Sequence, residues 1–397
     1  MSGARGPERF RAGGAETTLA AKDLFQELKF RDPARARALA EAIAREVDAI
    51  GRPVPVMHVC GSHEQAIARF GLRAVLPPEL ELIMGPGCPV CVTDGPEVDE
   101  AVALAMQGAR VCTYGDMLRL PGTARSLADA QADGAKVEIV YSASQAVELA
   151  ENHPKDEVVF LGSGFETTAV ATAAVALASP PKNFSILSVH KYVPAAMNVV
   201  AESEETNIEG YIAAGHAAII TGWGIFAPFA ARTGKPVVVA GFEPLDILAA
   251  ILKLTELMRE GKAEVANVYP RCVTREGNLP AQRTLWKAFR PVTGRWRGIA
   301  EVRDGNLDLE PELAHLDARR RFTIDTAPVR DDAAEEAAKG CICGAIMLGL
   351  ANPGNCALFG KTCVPESPVG ACMVSSEGQC RIWHTYGGLP DLRKVGT

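Results

Sequence analysis

The 397-residue sequence predicts an α/β protein with two similar parallel-sheet α/β domains and a smaller cysteine-rich domain at the C-terminal end. From about residue 50, short apolar runs alternate with Gly-rich turns and helical segments. This alternation is typical of parallel sheets that are covered by helices. The apolar runs are too numerous for one small sheet, so we divide them between two. After about residue 271 the alternation stops, and six of the eleven cysteines follow Gly340.

Strands and helices are predicted from the apolar runs and from helical spacing. We predict strands at 54–59, 80–84, 110–114, 136–141, 157–161, 185–189, 217–220, 236–240 and 265–269. We predict helices at 64–70, 97–107, 144–152, 168–178 and 244–260. Gly261 is expected to cap the last of these helices, and 331–339 is a candidate for a short charged helix.

The domain boundaries follow from these elements. Residues 1–24 mix Arg, Gly and Ala without an apolar segment, so we expect a disordered arm and no secretory signal. The first α/β domain is predicted at 25–145, the second at 146–270 and the C-terminal domain at 271–397. Without an export signal we expect a cytoplasmic protein with reduced cysteines. Metal or redox chemistry then takes precedence over structural disulfides.

The composition argues against several classes of protein. A hydrophobic fraction of 48% and a charged fraction of 22% are ordinary for a globular chain. A net charge of −7 argues against a nucleic-acid partner, because binding to phosphates requires a basic surface. Residues 210–231 carry no Lys, Arg, Asp or Glu, but several glycines, Pro228 and His216 interrupt them. We therefore expect a buried strand–loop–helix there and no membrane span.

Cys60 directly follows the predicted strand at 54–59 and precedes a helix. Ligands bind beyond the carboxyl ends of strands in open α/β sheets. The N-terminus of a helix also favours the thiolate form of a nearby cysteine. His63 and Glu64 follow in the next turn, where both could tune the thiol and His63 could bind a metal. The alternative is a buried structural cysteine with Ser62 as the helix cap.

Cys88 and Cys91 form a Cys-Pro-Val-Cys motif after the strand predicted at 80–84. This spacing suits a redox dithiol that can close into a disulfide, or one half of a zinc site. The Gly-Pro-Gly turn that precedes the motif is expected to expose both thiols. Because both loops are strand ends in one half of the chain, the three thiols could meet in one cleft. Together with His63, they could hold iron or zinc.

The C-terminal cysteines lie in a Gly/Pro-rich stretch with few signals for strands or helices. A segment with so little core needs another source of stability, and a bound metal can supply it. The spacing of four of them matches neither the common ferredoxin patterns nor a zinc ribbon. A [4Fe–4S] cluster, zinc, and disulfides or free thiols all stay open on this evidence. The other two cysteines, Cys112 and Cys272, are expected to be structural.

Three further features have both a functional and a structural interpretation. The Gly-rich turn at 162–168 could cradle a phosphate with its free N–H groups, and a tight turn capped by Thr167 explains it equally well. His190, Lys191 and His216 follow predicted strands, and each alone is more typical of a structural group. The sequence has no motif of a serine hydrolase, a zincin or a Rossmann oxidoreductase.

Several long motifs, in one order along residues 25–386, resemble the HypD family of hydrogenase maturation proteins. The motifs are Cys60-Gly61-Ser62-His63-Glu64, the GPGCPVC stretch at 85–91, Gly164-Phe165-Glu166-Thr167-Thr168, Gly241-Phe242-Glu243-Pro244, Trp296-Arg297-Gly298, and Cys356-Ala357-Leu358-Phe359-Gly360 through Ser375-Ser376-Glu377-Gly378-Gln379-Cys380. The resemblance implies a scaffold on which the Fe(CN)2CO unit of [NiFe]-hydrogenases is assembled. It also implies two partners, a small HypC-type chaperone and a HypE-type cyanide donor.

The resemblance further implies roles for single residues. Cys60 is similar to the thiol that holds the iron, and Cys88 and Cys91 are similar to a redox pair. His63 and Glu64 belong to the motif beside Cys60. The C-terminal domain would then be an iron–sulfur domain. Its implied [4Fe–4S] ligands are Cys343, Cys356, Cys363 and Cys380.

The sequence departs from the family pattern at a few positions, and two other functions compete. Ser62 stands where Thr is usual, Ala214 stands where Pro is expected, and Cys341 and Cys372 are additional thiols. The first competing function is an iron–sulfur-dependent thiol–disulfide oxidoreductase that acts on a protein substrate and binds no cyanide. The second is a zinc-stapled interaction module without redox chemistry. The preferred interpretation is a metallocofactor assembly scaffold with redox activity.

Overall fold

The structure is a computed structural model that describes residues 30–329 and 340–389. The disordered arm expected at 1–24 and the charged helix expected at 331–339 lie outside the described residues. Within the two described ranges, no helix combines the length and the apolar character that a bilayer crossing requires.

The strands form two parallel sheets and one antiparallel hairpin, which confirms the predicted α/β class. The strands are β1 Val54–His58, β2 Leu80–Met84, β3 Arg110–Thr113, β4 Val137–Ile139, β5 Val158–Gly162, β6 Phe184–Ser188, β7 Gly210–Ala214, β8 Val237–Ala240, β9 Val265–Asn267, β10 Phe289–Trp296 and β11 Ala300–Leu309. The first sheet has the order β2-β1-β7-β8-β9, and the second has the order β4-β3-β5-β6. Strands β10 and β11 pair with each other as the hairpin.

Helices fill the crossovers between the parallel strands. They are α1 Pro33–Ile50, α2 Gly61–Arg69, α3 Pro89–Val92, α4 Gly95–Met106, α5 Gly115–Leu118, α6 Leu127–Ala132, α7 Ala143–Asn152, α8 Glu166–Leu177, α9 Val193–Ala201, α10 Gly215–Thr221, α11 Ala227–Thr233 and α12 Pro244–Arg259. The C-terminal part adds α13 Leu279–Ala288, α14 Ala318–Arg321, α15 Cys343–Met347, α16 Ala371–Val374 and α17 Gln379–Tyr386. Each of the five predicted helices corresponds to one of these, with ends that differ by a few residues.

One predicted strand is wrong. Residues 217–220 belong to helix α10, and the strand of this region is β7, which lies between β1 and β8. The apolar run continues without a polar residue from the strand into the helix, so periodicity alone cannot separate the two. The expectation of a buried strand followed by helical structure at 210–231 is confirmed in its outline.

The path of the chain through the two sheets differs from the predicted division at residue 145. Strands β1 and β2 pair in one sheet with β7, β8 and β9, which follow more than 120 residues later. Strands β3 to β6, between them in sequence, form the second sheet. The predicted boundary separates β4 from β5, although β3 joins both in the second sheet. The alternation of strands and helices is the same within and between sheets, so it does not mark where the chain crosses over.

Apolar side chains cover both faces of each sheet. Helices α1 and α12 pack together on one face of the first sheet. Helices α7, α8 and α13 and the hairpin cover one face of the second sheet. A third cluster joins the remaining faces of both sheets and also includes Cys60, Cys88, Cys91 and several C-terminal cysteines. The candidate site residues therefore lie in the core that unites the two sheets and the C-terminal part.

His190 and Lys191, which lie two and three residues beyond the end of β6, are structural residues in this core. Nε2 of His190 lies 2.9 Å from the Thr172 hydroxyl, and Nδ1 lies 3.2 Å from the Gly164 carbonyl oxygen. The buried ammonium of Lys191 donates to both carboxylate oxygens of Glu97 at 2.8 Å. These contacts hold the second sheet to α8 and α4, which confirms the structural interpretation of both residues.

The burial of His190 predicts a pH dependence of folding. Burial lowers the pKa of His190 to about 4, whereas an unfolded histidine titrates near 6.5. The unfolded state therefore binds more protons between these values, and the free energy of unfolding falls as the pH drops from about 6.5 to about 4. We expect this histidine to account for about 3 kcal/mol of that loss. Guanidinium unfolding across this pH range should show a correspondingly shallower slope for His190→Gln.

The exposed residue His153 provides the control for this measurement. His153→Gln should keep the native slope, because its side chain gains no buried environment on folding. Equal slopes for His190→Gln and the native protein would contradict this account of His190.

Candidate functional site

Cys60 lies at the N-cap of α2, two residues beyond the end of β1. Cys60 is only 1% exposed to solvent, and its Sγ lies 3.8 Å from Nδ1 of His216 at the start of α10. Strands β1 and β7 are neighbours in the first sheet, so their carboxyl ends bring Cys60 and His216 together. The position predicted for Cys60 at a strand end is confirmed.

The thiol form of Cys60 is favoured, contrary to the expectation from the helix N-terminus. Burial and the nearby carboxylate of Glu377 raise the pKa of Cys60 to about 12. Backbone N–H groups of Ser62 and His63 act in the opposite direction but do not outweigh burial. A bound cation would have to displace the proton, and His216 is the neighbouring base. Burial lowers the pKa of His216, which favours the neutral form of its ring.

Two close backbone contacts fix the loops around Cys60. A Cβ atom on Gly87 would lie 2.3 Å from the Cys60 nitrogen, and one on Gly61 would lie 2.3 Å from the Glu377 carbonyl oxygen. Only glycine fits at such distances. The Gly-Pro-Gly turn therefore lies directly on the backbone of Cys60, and the C-terminal segment lies on Gly61. The predicted approach of the two cysteine loops is confirmed.

Cys88 and Cys91 form a disulfide in the structure. Both are buried, with exposures of 2% and 1%, so the expectation that the turn exposes them is wrong. The physical reason is the contact just described, which presses the turn into the core beside Cys60. Helix α16 packs over the disulfide, and the Ala371 carbonyl oxygen lies 4.0 Å from Cys91 Sγ.

A very small cavity separates the disulfide from the C-terminal cysteines. Its volume is about 10 Å³, which is room for a single water molecule at most. Cys88 and Cys91 line one side, and Cys372 and Gln379 line the other. The disulfide and a thiol of the C-terminal part thus line the same small cavity.

His63 is buried beside Cys60, and one of its ring nitrogens has no partner. Nε2 lies 3.0 Å from the Gly241 carbonyl oxygen, while the buried Nδ1 meets no donor or acceptor among the described residues. Burial and the neighbouring rings of His58 and His216 lower the pKa of His63 to about 3. His63 is therefore neutral and keeps a free ring nitrogen next to the site.

Glu64 points away from Cys60 into a buried network. Its carboxylate accepts two hydrogen bonds from the Arg73 guanidinium at 2.9 and 2.8 Å, and one from Trp383 Nε1 at 2.6 Å. Nε2 of His58 lies 2.9 Å away. Although burial alone would raise it, these partners hold the pKa of Glu64 at about 2. The geometry gives Glu64 a structural task, since it joins β1, α2 and α17.

Glu166 connects the second sheet to the site, since it begins the helix that follows β5. It is buried in the first turn of α8, where one carboxylate oxygen accepts from the Val193 N–H at 3.0 Å and the other has no partner among the described residues. Burial raises the pKa of Glu166 to about 7, and its charge is felt at His216. A carboxyl group in this position disfavours a phosphate in the turn at 162–168. Thr167 does not cap α8, because Phe165 is the N-cap.

The C-terminal cysteines converge on Cys343. Contacts from the thiols of Cys341, Cys372 and Cys380 lower the pKa of Cys343 well below its usual value. The Cys341 thiol lies 3.1 Å from Cys343 Sγ. Cys363 is buried too, and its charge contributes to raising the pKa of Cys380. Among the described residues, the partly exposed Cys356 shows no such interaction with these thiols.

These thiols fit a metal cluster in chemistry but are not prearranged as its ligands. The same contacts that lower the pKa of Cys343 raise the pKa of Cys341, Cys372 and Cys380, so one thiolate is held by neighbouring thiols. A buried group of thiols is the donor set that iron–sulfur clusters use. However, no group of three or more His, Cys, Asp or Glu in residues 30–329 and 340–389 has the arrangement of a finished metal site. Three of the four cysteines expected as ligands lie together here, and the two additional cysteines lie with them.

Sequence reasoning missed three residues of this site. His216 and Glu166 lie in motifs that were assigned structural or phosphate-binding roles, and Glu377 was given no role of its own. The spacing along the chain cannot reveal them, since the three come from different sheets and from the C-terminal part. The one sequence signal was the position of His216 and Glu166 directly after strands. The two cysteines expected to be structural differ: Cys112 is buried in β3, and Cys272 is exposed.

Fold and site together define an α/β protein with a buried thiol cleft beside a cysteine-rich C-terminal segment. The HypD family model, described as the hydrogenase formation hypA family, matches residues 34–387. The hydrogenase maturation factor HypD of Cupriavidus necator is 42% identical over 384 residues, which cover 93% of this chain and 100% of that protein. The protein of the same name from Azotobacter vinelandii is 42% identical over 370 residues, covering 90% of this chain and 96% of the relative. The chain belongs to the HypD family.

The network around Glu64 predicts the cost of removing its charge. Glu64→Gln leaves the Arg73 guanidinium in a buried position without its counter-charge, and removing one partner of a buried pair costs about 3–5 kcal/mol. We expect the free energy of unfolding, measured with guanidinium chloride, to fall by about 3 kcal/mol. The exposed Glu81 offers a matched control, and Glu81→Gln should change stability by less than about 0.5 kcal/mol. A loss below about 1 kcal/mol for Glu64→Gln would contradict the structural role.

Proposed function

We propose that this protein is a hydrogenase maturation factor, a scaffold on which the Fe(CN)2CO unit of [NiFe]-hydrogenases is assembled. In this proposal a small HypC-type chaperone and a HypE-type cyanide donor are its partners. The observation that carries the proposal is the buried Cys60 thiol, which lies 3.8 Å from the neutral base His216 and in contact with the disulfide loop. The curated relatives, which carry the name of hydrogenase maturation factors, support the same process.

The surroundings of Cys60 suit the binding of an iron substrate. A thiolate is a ligand that iron accepts, and cyanide is a strong-field anion that thiolate-bound iron can take up. Since burial keeps the thiol protonated, the proton leaves as the iron binds, and the ring of His216 is the acceptor nearest to the sulfur. The free Nδ1 of His63 offers a second polar contact in the same buried place.

The disulfide provides for redox chemistry beside the iron site. Two electrons and two protons convert the Cys88–Cys91 disulfide into two thiols. In this proposal Cys343, Cys356, Cys363 and Cys380 hold a [4Fe–4S] cluster, which when bound supplies electrons one at a time. The cavity of about 10 Å³ that is lined by both the disulfide and Cys372 supports this arrangement, because it places the redox pair next to the C-terminal thiols.

A thiol–disulfide oxidoreductase that acts on other proteins is the second candidate. The disulfide between Cys88 and Cys91 favours it. The burial of both sulfurs argues against it, since a protein substrate must reach one of them to form a mixed disulfide. The scaffold function has no such requirement, because its substrate is a small iron unit.

Replacement of Cys60 tests the scaffold function. In cells that lack their own copy of the gene, Cys60→Ala should reduce [NiFe]-hydrogenase activity to the level of cells without the gene, because no other thiol occupies that N-cap. Cys112→Ala, which removes a buried cysteine in β3, should restore activity to within about twofold of the native protein. Full activity with Cys60→Ala would refute the assigned role of this thiol.

The metal content tests the C-terminal assignment. Protein purified without oxygen should contain about four irons and about four acid-labile sulfides per chain. Cys343→Ser and Cys356→Ser should lose most of both, whereas Cys272→Ser, at an exposed cysteine, should keep them. Loss with Cys372→Ser but not with Cys356→Ser would show that Cys372 is the fourth ligand. Zinc without sulfide would contradict the redox role and favour a zinc-stabilised interaction module.

A further inference from the structure

The turn between β10 and β11 lies between the disulfide and the C-terminal cysteines. Trp296 ends β10 and is fully buried, and its indole N–H donates to Asn306 Oδ1 at 3.1 Å. Asn306 also accepts from the buried ammonium of Lys191. The turn is therefore held firmly at its base, and the next two residues, Arg297 and Gly298, project from a fixed support.

Arg297 binds the chain that leaves the disulfide. Its backbone N–H donates to the Val92 carbonyl at 3.0 Å, and its Nε donates to the Thr93 carbonyl at 2.7 Å. These two residues directly follow Cys91 and end the short helix α3. Another guanidinium nitrogen donates to the Pro121 carbonyl. Two bonds from one residue thus fix the C-terminal end of the helix that carries the dithiol, and a third ties the same guanidinium to the Pro121 loop.

Gly298 brings the same turn against Cys343. A Cβ atom on Gly298 would lie 2.9 Å from the Gly344 Cα, and one on Gly344 would lie 2.0 Å from the Gly298 carbonyl oxygen. The two backbones therefore touch, and Gly344 is the neighbour of Cys343. The turn spans the whole gap between the dithiol helix and the residue on which the C-terminal thiols converge.

The guanidinium of Arg297 is a partly buried positive charge in this gap. Loss of water lowers the pKa of this group, while Asp94, Cys343 and Glu97 act in the opposite direction. Arginine stays charged under such conditions. Its side-chain hydrogen bonds go to neutral carbonyl oxygens, and within residues 30–329 and 340–389 it forms no direct ion pair.

We propose that Arg297 is a positioning residue for the redox pair: it fixes the helix of Cys88 and Cys91 against the C-terminal thiols, and its positive charge favours the reduced dithiol over the disulfide. The inference rests on the proposed redox function of that pair. When the disulfide opens, one of the new thiols can lose its proton to water, and a nearby cation stabilises the thiolate. Stabilising the thiolate stabilises the reduced dithiol relative to the disulfide. A disulfide whose reduced form is stabilised in this way is a strong oxidant.

Glutathione buffers that also contain a catalytic amount of the small dithiol dithiothreitol, which carries exchange to the buried sulfurs, measure this effect on the full-length protein. Two glutathione thiols reduce the Cys88–Cys91 disulfide to two thiols and leave as one glutathione disulfide. The fraction reduced is obtained by acid quenching, alkylation and mass measurement of the peptide that carries both cysteines. At a pH above the pKa of the more acidic thiol, Arg297→Gln should lower the equilibrium constant for reduction about tenfold, the effect of about one pKa unit at that thiol.

Two variants separate charge from packing. Arg297→Lys keeps the positive charge but loses the planar guanidinium with its several N–H donors. The equilibrium constant for reduction should therefore stay within about threefold of the native value. Arg303→Gln, at an exposed arginine of the same hairpin, should leave the constant unchanged. A native constant for Arg297→Gln, or an equal shift for the Lys and Gln variants, would overturn the role of the charge.

A variant of a neighbouring acidic residue tests the same effect if Arg297→Gln does not fold. Asp94→Asn removes a negative charge beside the guanidinium and keeps a side chain that caps α4 well. The constant for reduction should then rise, and an unchanged or lower constant would overturn the inference. If the native disulfide does not open and close reversibly in any of these buffers, the redox function itself fails, which is a different result from an ineffective Arg297.

Discussion

The buried carboxylate of Glu64 is the interaction on which the arrangement of the site depends. It lies in α2, one turn after Cys60, and it binds Arg73, His58 and the indole of Trp383. Trp383 belongs to α17, the helix that also carries Cys380. One charged group therefore ties the helix of Cys380 to the helix that begins at Cys60. A buried carboxylate is costly unless it is fully paired, so the network forms only when all three elements are in position.

Close backbone contacts complete what the carboxylate begins. Gly61 and Gly87 allow the C-terminal segment and the disulfide turn to lie on the two sides of Cys60. The second sheet contributes through Glu166, whose charge reaches His216 across the junction of the sheets. The result is a thiol, a neutral base and a disulfide in a place from which water is largely excluded. In such surroundings a protonated thiol becomes a ligand only when a cation replaces its proton, as the proposed role of Cys60 requires.

The sequence predicted the class of fold and the thiol residues of the site, because both depend on local patterns. Eight of the nine predicted strands are present, since apolar runs between glycine turns are local signals. The ninth, at 217–220, was misassigned within an apolar run that continues from strand into helix, and the hairpin of β10 and β11 was not predicted. The pairing of β1 with β7 and the burial of the disulfide were not predicted, because they arise from contacts between distant segments. His216, Glu166 and Glu377 were missed as site residues for the same reason. Helix α1 was also missed, although Asp32, Pro33 and Gly51 provide ordinary signals for its two ends.

The central claim is that Cys60 holds the iron unit on this protein. The most direct test is infrared spectroscopy of the full-length protein, purified without oxygen together with its small chaperone from cells that make a [NiFe]-hydrogenase. The account predicts stretching bands of iron-bound cyanide and carbonyl for the native protein and their absence for Cys60→Ser. Bands of equal intensity in both proteins would contradict the claim. So would a native protein that shows no cyanide band and contains only as many irons per chain as acid-labile sulfides.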